Sequence, residues 1–486
     1  MSAKALMFMG TGSDVGKSLI VGGLCRAFKN RGFKVAPFKP QNMSNNAAVC
    51  DTGGEIGRAQ ALQARACGLA PTTAMNPILL KPEHESGAQL IIRGKRKASM
   101  SAREYFAIRE KYMPDVLEAF NELKSDYDLV IVEGAGSASE VNLRHNDLAN
   151  FGFAQAADVP VILIGDIERG GVIASIIGTF EVIDKNDAKL IVGSIINKFL
   201  GDKSLFENGI KTIEKLTDRS VFGSIPYFNQ AHKLPAEDIL ALKQKTVKQT
   251  GRFHIAVLKL SRISNFDDFD PLNAEEGVFV DIVEAGEAIS QNADLIIIPG
   301  TKATIADMKF ILAQGWDIDI LAHVRAGKPV LGICGGYQIL GREISDPNAV
   351  EGKPETINGL GLLDIRTILS EKKQLRNERG IDARFAKEIS GFHMHMGVSD
   401  GKDCNRPFAK IEGKNEGAIS ANGRVSGTYL HGLFSCDEFR QAFLDNLGAK
   451  IEIGLNYEAE IEQVLDDLAA HLEANLDLDV LLEQAR

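Results

Sequence analysis

The chain is poor in paired cysteines, in basic charge and in long apolar runs. Its six cysteines (Cys25, Cys50, Cys67, Cys334, Cys404, Cys436) are scattered through 486 residues, with no Cys-x-x-Cys spacing. That excludes a disulfide framework or a cysteine zinc site as the organising device. Lys and Arg number 55 against 65 Asp and Glu, a formal net charge of −10. Such a balance argues against a nucleic-acid surface as the main business, though a local basic pocket for an anionic substrate remains compatible with it. No apolar run approaches the length of a membrane span. The first residues run straight into a strand-like segment, without the basic and apolar regions of a signal peptide. A cytoplasmic protein is therefore expected, with neither nucleic acid nor membrane as partner. Internal repeats and low-complexity segments are also lacking. What remains is a globular mixture, 44% hydrophobic and 25% charged, long enough for two or three domains.

Short apolar segments alternate with helical patterns. Candidate strands in the first part are "ALMFMG", "KVAPFK", "QLIIRG", "DLVIVEG", "PVILIGDI", "LIVGSIIN" and "SVFGSIPY". Several are apolar throughout, as strands buried on both faces of a parallel sheet are. Helical patterns lie between them, for example over 17–31, 103–124 and 171–184. A polar, charged stretch then interrupts the series, read as a linker over 231–252 with one helical segment. A second series starts at 253 with "FHIAVLKL", "VFVDIVEA", "ADLIIIPG", "KPVLGICGG" and "GLGLLDI". The pattern predicts two doubly wound α/β domains, 1–230 and 253–447, and a helical tail over 448–486.

The opening stretch "ALMFMGTGSDVGKSLIVGGL" has the form of a phosphate-binding loop between strand and helix. The usual loop has four residues between its first glycine and Gly-Lys-[Ser/Thr]; here five separate Gly10 from Gly16. Backbone groups of Gly10, Thr11 and Gly16 at the helix start would hold phosphate oxygens. Lys17 would neutralise the outer phosphates and Ser18 would ligate Mg²⁺, which together predict ATP binding. Further candidates stand at C-terminal strand ends, which face the ligand crevice of such sheets. Lys39 opens a loop with Gln41, Asn42, Ser44, Asn45 and Asn46, dense in hydrogen-bonding groups. Glu133 ends "DLVIVEG" and suits a metal contact, though a helix-capping acid fits that segment equally well. Glu55, read at a helix start, is a further metal candidate. Asp166 and Arg169 follow another strand, and Asn197-Lys198 ends one more, suited to the nucleotide base.

In "GKPVLGICGGYQILG" the chain turns sharply from strand to helix at Cys334. A thiol at a helix N-terminus is favoured as the nucleophilic thiolate. Small neighbours permit a strained nucleophile elbow, and the N–H groups of Gly335 and Gly300 would form an oxyanion hole. "SGTYLHGLF" supplies His431 as the base, about a hundred residues on, as sequence-distant partners often are.

These motifs carry resemblances. "GTGSDVGKS" is similar to the loop of the dethiobiotin synthetase group, which implies phosphorylation of a substrate carboxylate or carbamate. Residues 253–440 resemble a class I glutamine amidotransferase domain of the Cys-His type, which implies attack on L-glutamine and release of ammonia. That group usually has a glutamate two residues after the histidine. Leu433 stands there, so a third triad member is missing or supplied from elsewhere. From about residue 5 to 440 the motifs "GTGSDVGKS", "FKPQNMSNNA", "GGEIGRAQALQA", "DIERGG", "PGTKAT", "GICGGYQILG" and "GTYLHGLF" follow the order of the cobyric acid synthase family. The resemblance implies ATP- and glutamine-dependent amidation of the b, d, e and g carboxylates of adenosylcobyrinic acid a,c-diamide. It makes Lys39, Arg58, Arg169 and the Asn-rich loop substrate contacts, with homo-oligomerisation left open. Cobyrinic acid a,c-diamide synthase is the nearest alternative. A partition-type regulatory ATPase is the alternative from another class, and it would leave Cys334 and His431 without a purpose. One departure stands out: "GFHMHMG" replaces a "GYEIHMG"-like segment, with His393 in place of the acid and His395 kept. Two histidines at this spacing share a strand face; no third metal ligand is visible, which favours a structural role.

Overall fold

Segments that are apolar throughout become interior strands. The structure is a computed structural model that describes residues 3–84, 87–235, 253–449, 451 and 454–486. It divides into two compact units: Met1–Ser44, Cys50–Pro235 and Ile461–Arg486 form one, and Asn45–Val49 with Ala236–Glu460 form the other.

In the first unit the strands are β1 (Lys4–Gly10), β2 (Val35–Phe38), β3 (Leu129–Glu133), β4 (Val161–Asp166), β5 (Ile191–Phe199) and β6 (Ser220–Pro226). They pair in parallel in the order β6-β5-β4-β1-β3-β2. The order reverses beside β1, so the C-terminal ends of β1, β3 and β4 flank one crevice. Pro37 lies in β2 at the sheet edge, where a missing N–H costs no interior ladder bond. Helix α1 (Lys17–Asn30) follows the first loop, and α2 (Arg58–Ala66) packs near it.

"QLIIRG" does not join this sheet. Gly87–Ile92 belongs to a smaller sheet with Gln41–Met43, Ile78–His84 and Lys95–Ser101. The reason is local: Arg93 and Gly94 both have positive φ, 48° and 75°, the turn that folds two strands into a hairpin. The helical pattern over 103–124 is also interrupted. Ala102–Ile108 gives way to a 3₁₀ turn, and a new helix starts at Met113 with Pro114 in its first turn.

The second unit has β7 (Phe253–Leu258), β8 (Val278–Val283), β9 (Leu295–Ile298) and β10 (Val330–Ile333), the last followed by α3 (Gly335–Ile339). The long strands β11 (Arg366–Asp382) and β12 (Glu388–Asp400) come next, then β13 (Ala418–Ile419), β14 (Val425–Thr428) and β15 (Leu430–His431). One sheet runs β8-β7-β9-β10-β14-β13, parallel except for β13. A second sheet is built on the β11–β12 hairpin and takes in β15, with Phe392 opposite His431. "GLGLLDI" is irregular rather than a strand; Leu363 and Ile365 are buried, so its apolar residues serve packing.

Of the expected linker 231–252, residues 236–252 lie outside the described residues, and a 3₁₀ turn over Asn229–Lys233 leads into it. The C-terminal segment is helical, as α4 (Tyr457–Glu473) and α5 (Leu478–Gln484). From Ile461 it belongs to the first unit. Val464, Leu465, Leu468 and Leu472 bury one helical stripe. Buried Arg26 of α1 forms ion pairs with Glu462 and Asp466. The last residue closes on β1, Arg486 N–H donating to the Ala5 carbonyl at 3.1 Å. Among the described residues no helix is long and apolar enough to cross a membrane.

Candidate active sites

The first site gathers at the end of β1. Gly10 admits no side chain: a Cβ there would lie 2.7 Å from the Gly12 carbonyl oxygen and 2.7 Å from Val15. The Thr11 N–H donates to the Ile164 carbonyl at 3.0 Å, tying the loop to β4. Gly16 caps α1, and Lys17 is buried with its Nζ donating to the carbonyls of Gly136 (2.8 Å) and Gly12 (3.2 Å). The Ser18 hydroxyl donates to Glu133 Oε1 at 2.8 Å. Glu133 also accepts Lys39 Nζ at 2.8 Å and Gln63 Nε2 at 2.6 Å. Burial opposes its charge, but the Lys39 ammonium and the three donors outweigh this and hold the carboxyl below its ordinary value. Asn197 and Lys198 brace the loop from β5. Asn197 Nδ2 donates to the Val15 carbonyl at 2.8 Å, and Lys198 Nζ donates to the Asp14 carbonyl (2.6 Å) and Asp166 (2.8 Å). The Asn197 amide nitrogen is thus committed to the loop rather than held out to a nucleotide base.

The second site lies at the end of β10. Cys334 has φ 54° and ψ −109°, a strained conformation for a residue with a side chain, costing of order 1–3 kcal/mol. It persists because both sides are fixed. Cys334 N–H donates to the Thr428 carbonyl at 2.7 Å, and α3 packs so closely that a Cβ on Gly336 would fall 1.9 Å from the Ile298 carbonyl oxygen. His431 is fully buried on β15, under the nearly parallel ring of Phe392 (centroids 5.2 Å apart). Its Nδ1 pairs with Asp268 Oδ2 at 2.7 Å, while Asp268 Oδ1 accepts the Gly432 N–H at 2.7 Å. The Cys334 thiol is close enough to the ring to favour its charged form. Burial disfavours the imidazolium, but Asp268 and then Cys334 overcome this and raise His431 to about 10. Gly300 lies against the ring, where a Cβ would be 2.8 Å from His431 Cε1. Gly335 opens α3 immediately after Cys334.

A thiol on a strained turn, a buried imidazole and a carboxylate behind it have the arrangement that a hydrolytic triad uses. Residues 6–241 match the CobQ/CobB/MinD/ParA nucleotide binding domain, and residues 254–439 match the CobB/CobQ-like glutamine amidotransferase domain. The chain is 55% identical to a protein named cobyric acid synthase from Cereibacter sphaeroides over 482 residues, 99% of this chain and 100% of the other. With the one from Rhodobacter capsulatus it shares 56% over the same span and coverage, and with that of Bradyrhizobium diazoefficiens 55% over 485 residues, 100% of both. The chain belongs to the cobyric acid synthase family.

In this member of the cobyric acid synthase family, the structure brings Gly10, Thr11, Gly16, Lys17, Ser18 and Glu133 together at the end of β1, with Asn197 bracing the loop from β5. Lys39 joins them through Glu133. Cys334, His431, Gly300 and Gly335 meet likewise. Other expected residues go elsewhere. Glu55 stands on a short strand (Glu55–Gly57) before α2 rather than in the helix, and its carboxylate meets buried Lys81 at 2.9 Å. The Asn-rich loop spends several side chains on internal bonds. Gln41 accepts from the Tyr105 hydroxyl at 2.5 Å, and Asn42 donates to Gln60 at 2.8 Å. Ser44 is buried. Asn45 belongs to the second unit together with Ala47, whose N–H donates to Asn265 Oδ1 at 3.3 Å. Arg58 opens α2 half-buried, and Arg169 is exposed.

Asp268 stands behind His431, where a third triad member would stand, while Leu433 is buried in the core. The available signal was "NFDDFDPL", where Asp267, Asp268 and Asp270 are all buried within a few residues. Three carboxylates in a mostly apolar turn demand partners. His393 and His395 flank the site on β12. His393 Nδ1 lies 3.3 Å from Glu378, and the His395 ring stacks on Tyr429 at 3.7 Å. Burial lowers them to about 4 and about 3, so both stay neutral in the fold.

Proposed function

We propose that this chain hydrolyses glutamine at Cys334 and uses the ammonia, with ATP, to amidate the b, d, e and g carboxylates of adenosylcobyrinic acid a,c-diamide, giving adenosylcobyric acid. The observation that carries the reading is the Asp268–His431–Cys334 triad on a strained elbow, in a chain that also bears a phosphate loop. Cys334 Sγ attacks the carboxamide carbon of glutamine. N–H groups of Gly335 and Gly300 stabilise the oxyanion. His431, oriented by Asp268, delivers a proton to the departing ammonia and then draws one from the water that releases glutamate.

In the first unit a corrinoid carboxylate attacks the γ-phosphorus of ATP, forming an acyl phosphate and ADP. Ammonia then adds to the acyl carbon and phosphate leaves, so one amide, ADP and phosphate result per cycle. Lys17 would exchange its contacts with the Gly12 and Gly136 carbonyls for phosphate oxygens. The Ser18 hydroxyl and the ionised Glu133 carboxylate, 2.8 Å apart, are hard oxygen donors that suit Mg²⁺; when bound, the ion neutralises phosphate charge. Arg58 and Arg169 are proposed to meet substrate carboxylates. The six free thiols fit a reducing cytoplasm.

The test is turnover with two nitrogen sources. Cys334→Ala is expected to abolish glutamine-driven amidation and leave ammonia-driven amidation intact, while Lys17→Ala removes both. Mass gains for successive amides identify the product. Glutamine-driven turnover in Cys334→Ala overturns the site assignment.

A further inference from the structure

The buried carboxylate of Glu416 grips the segment that joins the Cys334 elbow to His431. Its Oε2 accepts the Thr428 hydroxyl at 2.7 Å and its Oε1 accepts the Tyr429 N–H at 2.7 Å. Thr428 in turn offers its carbonyl to Cys334 N–H at 2.7 Å, and its Oγ1 accepts the Leu430 N–H at 3.0 Å. The next residue is His431. The carboxylate thus holds Thr428 and Tyr429 directly, and Leu430 through the Thr428 hydroxyl, in the stretch that joins the Cys334 elbow to His431. We propose that Glu416 is a positioning residue for glutamine hydrolysis, holding residues 428–430 so that Cys334 and His431 keep a common register. The proposal rests on the glutaminase reading of the site.

A carboxylate suits this task because, when ionised, it accepts both bonds at once. A neutral acid or an amide has to turn a hydrogen toward one of them. Facing it are Glu378 on β11, His393 on β12 with Nε2 at 3.9 Å, and the phenols of Tyr337 and Tyr429. Burial raises Glu416 to about 7; the bonds from Tyr429 and Thr428 oppose the rise and the Glu378 charge adds to it. The two-acceptor form is therefore gained as pH rises through that value.

The experiment compares Glu416→Gln with the unaltered full chain. With glutamine, kcat is expected to fall about tenfold, the size of effect that one lost buried hydrogen bond produces, with the glutamine KM little changed. Ammonia-driven turnover stays normal. The rise of glutamine-driven kcat near pH 7 is expected to disappear in the variant, an effect that a purely structural role does not produce. Thr428→Val, which removes the bridging hydroxyl, is expected to show a smaller loss in the same direction and stands in if the first variant does not fold. Unaltered kcat and pH profile in Glu416→Gln overturn the proposal, as does an equal loss with ammonia. If Cys334→Ala still used glutamine, the glutaminase reading itself would fall; a dead Cys334→Ala beside a normal Glu416→Gln removes only this inference.

Discussion

Asp268 converts His431 from an ordinary imidazole into a lasting cation. The pair is buried, so neither water nor salt screens it, and the raised value of about 10 keeps the ring protonated across the neutral range. The same shift contributes stability that is complete below the unfolded value of about 6.5 and is lost as pH rises through the folded one. Asp268→Asn keeps the shape and removes the charge. Glutamine-driven kcat is expected to fall about a hundredfold or more, with ammonia-driven turnover unchanged. The alkaline limit of glutamine-driven turnover, where His431 loses its proton, is expected to move to lower pH in the variant. A pH series of glutamine turnover in the two proteins reads both effects.

At the scale of elements, both sites are made where a parallel strand hands over to a helix. β1 leads through the loop to α1, and β10 leads through Cys334 to α3. Both junctions were legible because each occupies one contiguous stretch in which glycine, a nucleophile or a lysine, and an apolar run must stand together. The hairpin at Arg93–Gly94 was not, since "QLIIRG" has the apolar content of a core strand and only its turn conformation assigns it to another sheet. The β10–α3 junction yields a direct prediction. Gly336→Ala would drive a Cβ into the Ile298 carbonyl. Relieving that contact moves α3 and the elbow, and the expected loss of stability is about 2–4 kcal/mol, measurable by denaturant unfolding. Glutamine turnover is expected to fall with it.

For the molecule as a whole, the chain ends where it began. Residues 461–486 return to the first unit, where Val464, Leu465, Leu468, Leu472 and Leu481 are buried. Each such side chain is worth about 1.5–3 kcal/mol when fully buried, so truncation after Glu460 is expected to lower the melting temperature of the nucleotide-binding unit and weaken its ATP affinity. Calorimetry with and without nucleotide tests this; unchanged melting and binding would show the segment to be dispensable. The sequence alone determined the α/β class, the phosphate loop, the Cys334 elbow and His431, because each is written in adjacent residues whose chemistry needs that spacing. Only the tertiary structure decided that Asp268 meets His431, that Lys39 meets Glu133, that Glu55 meets Lys81 and that the last helices belong to the first unit. Those contacts join residues as far apart as Asp268 and His431, 163 positions in the chain. Which distant carboxylate meets which cation is set by burial and packing geometry, and no local pattern encodes it.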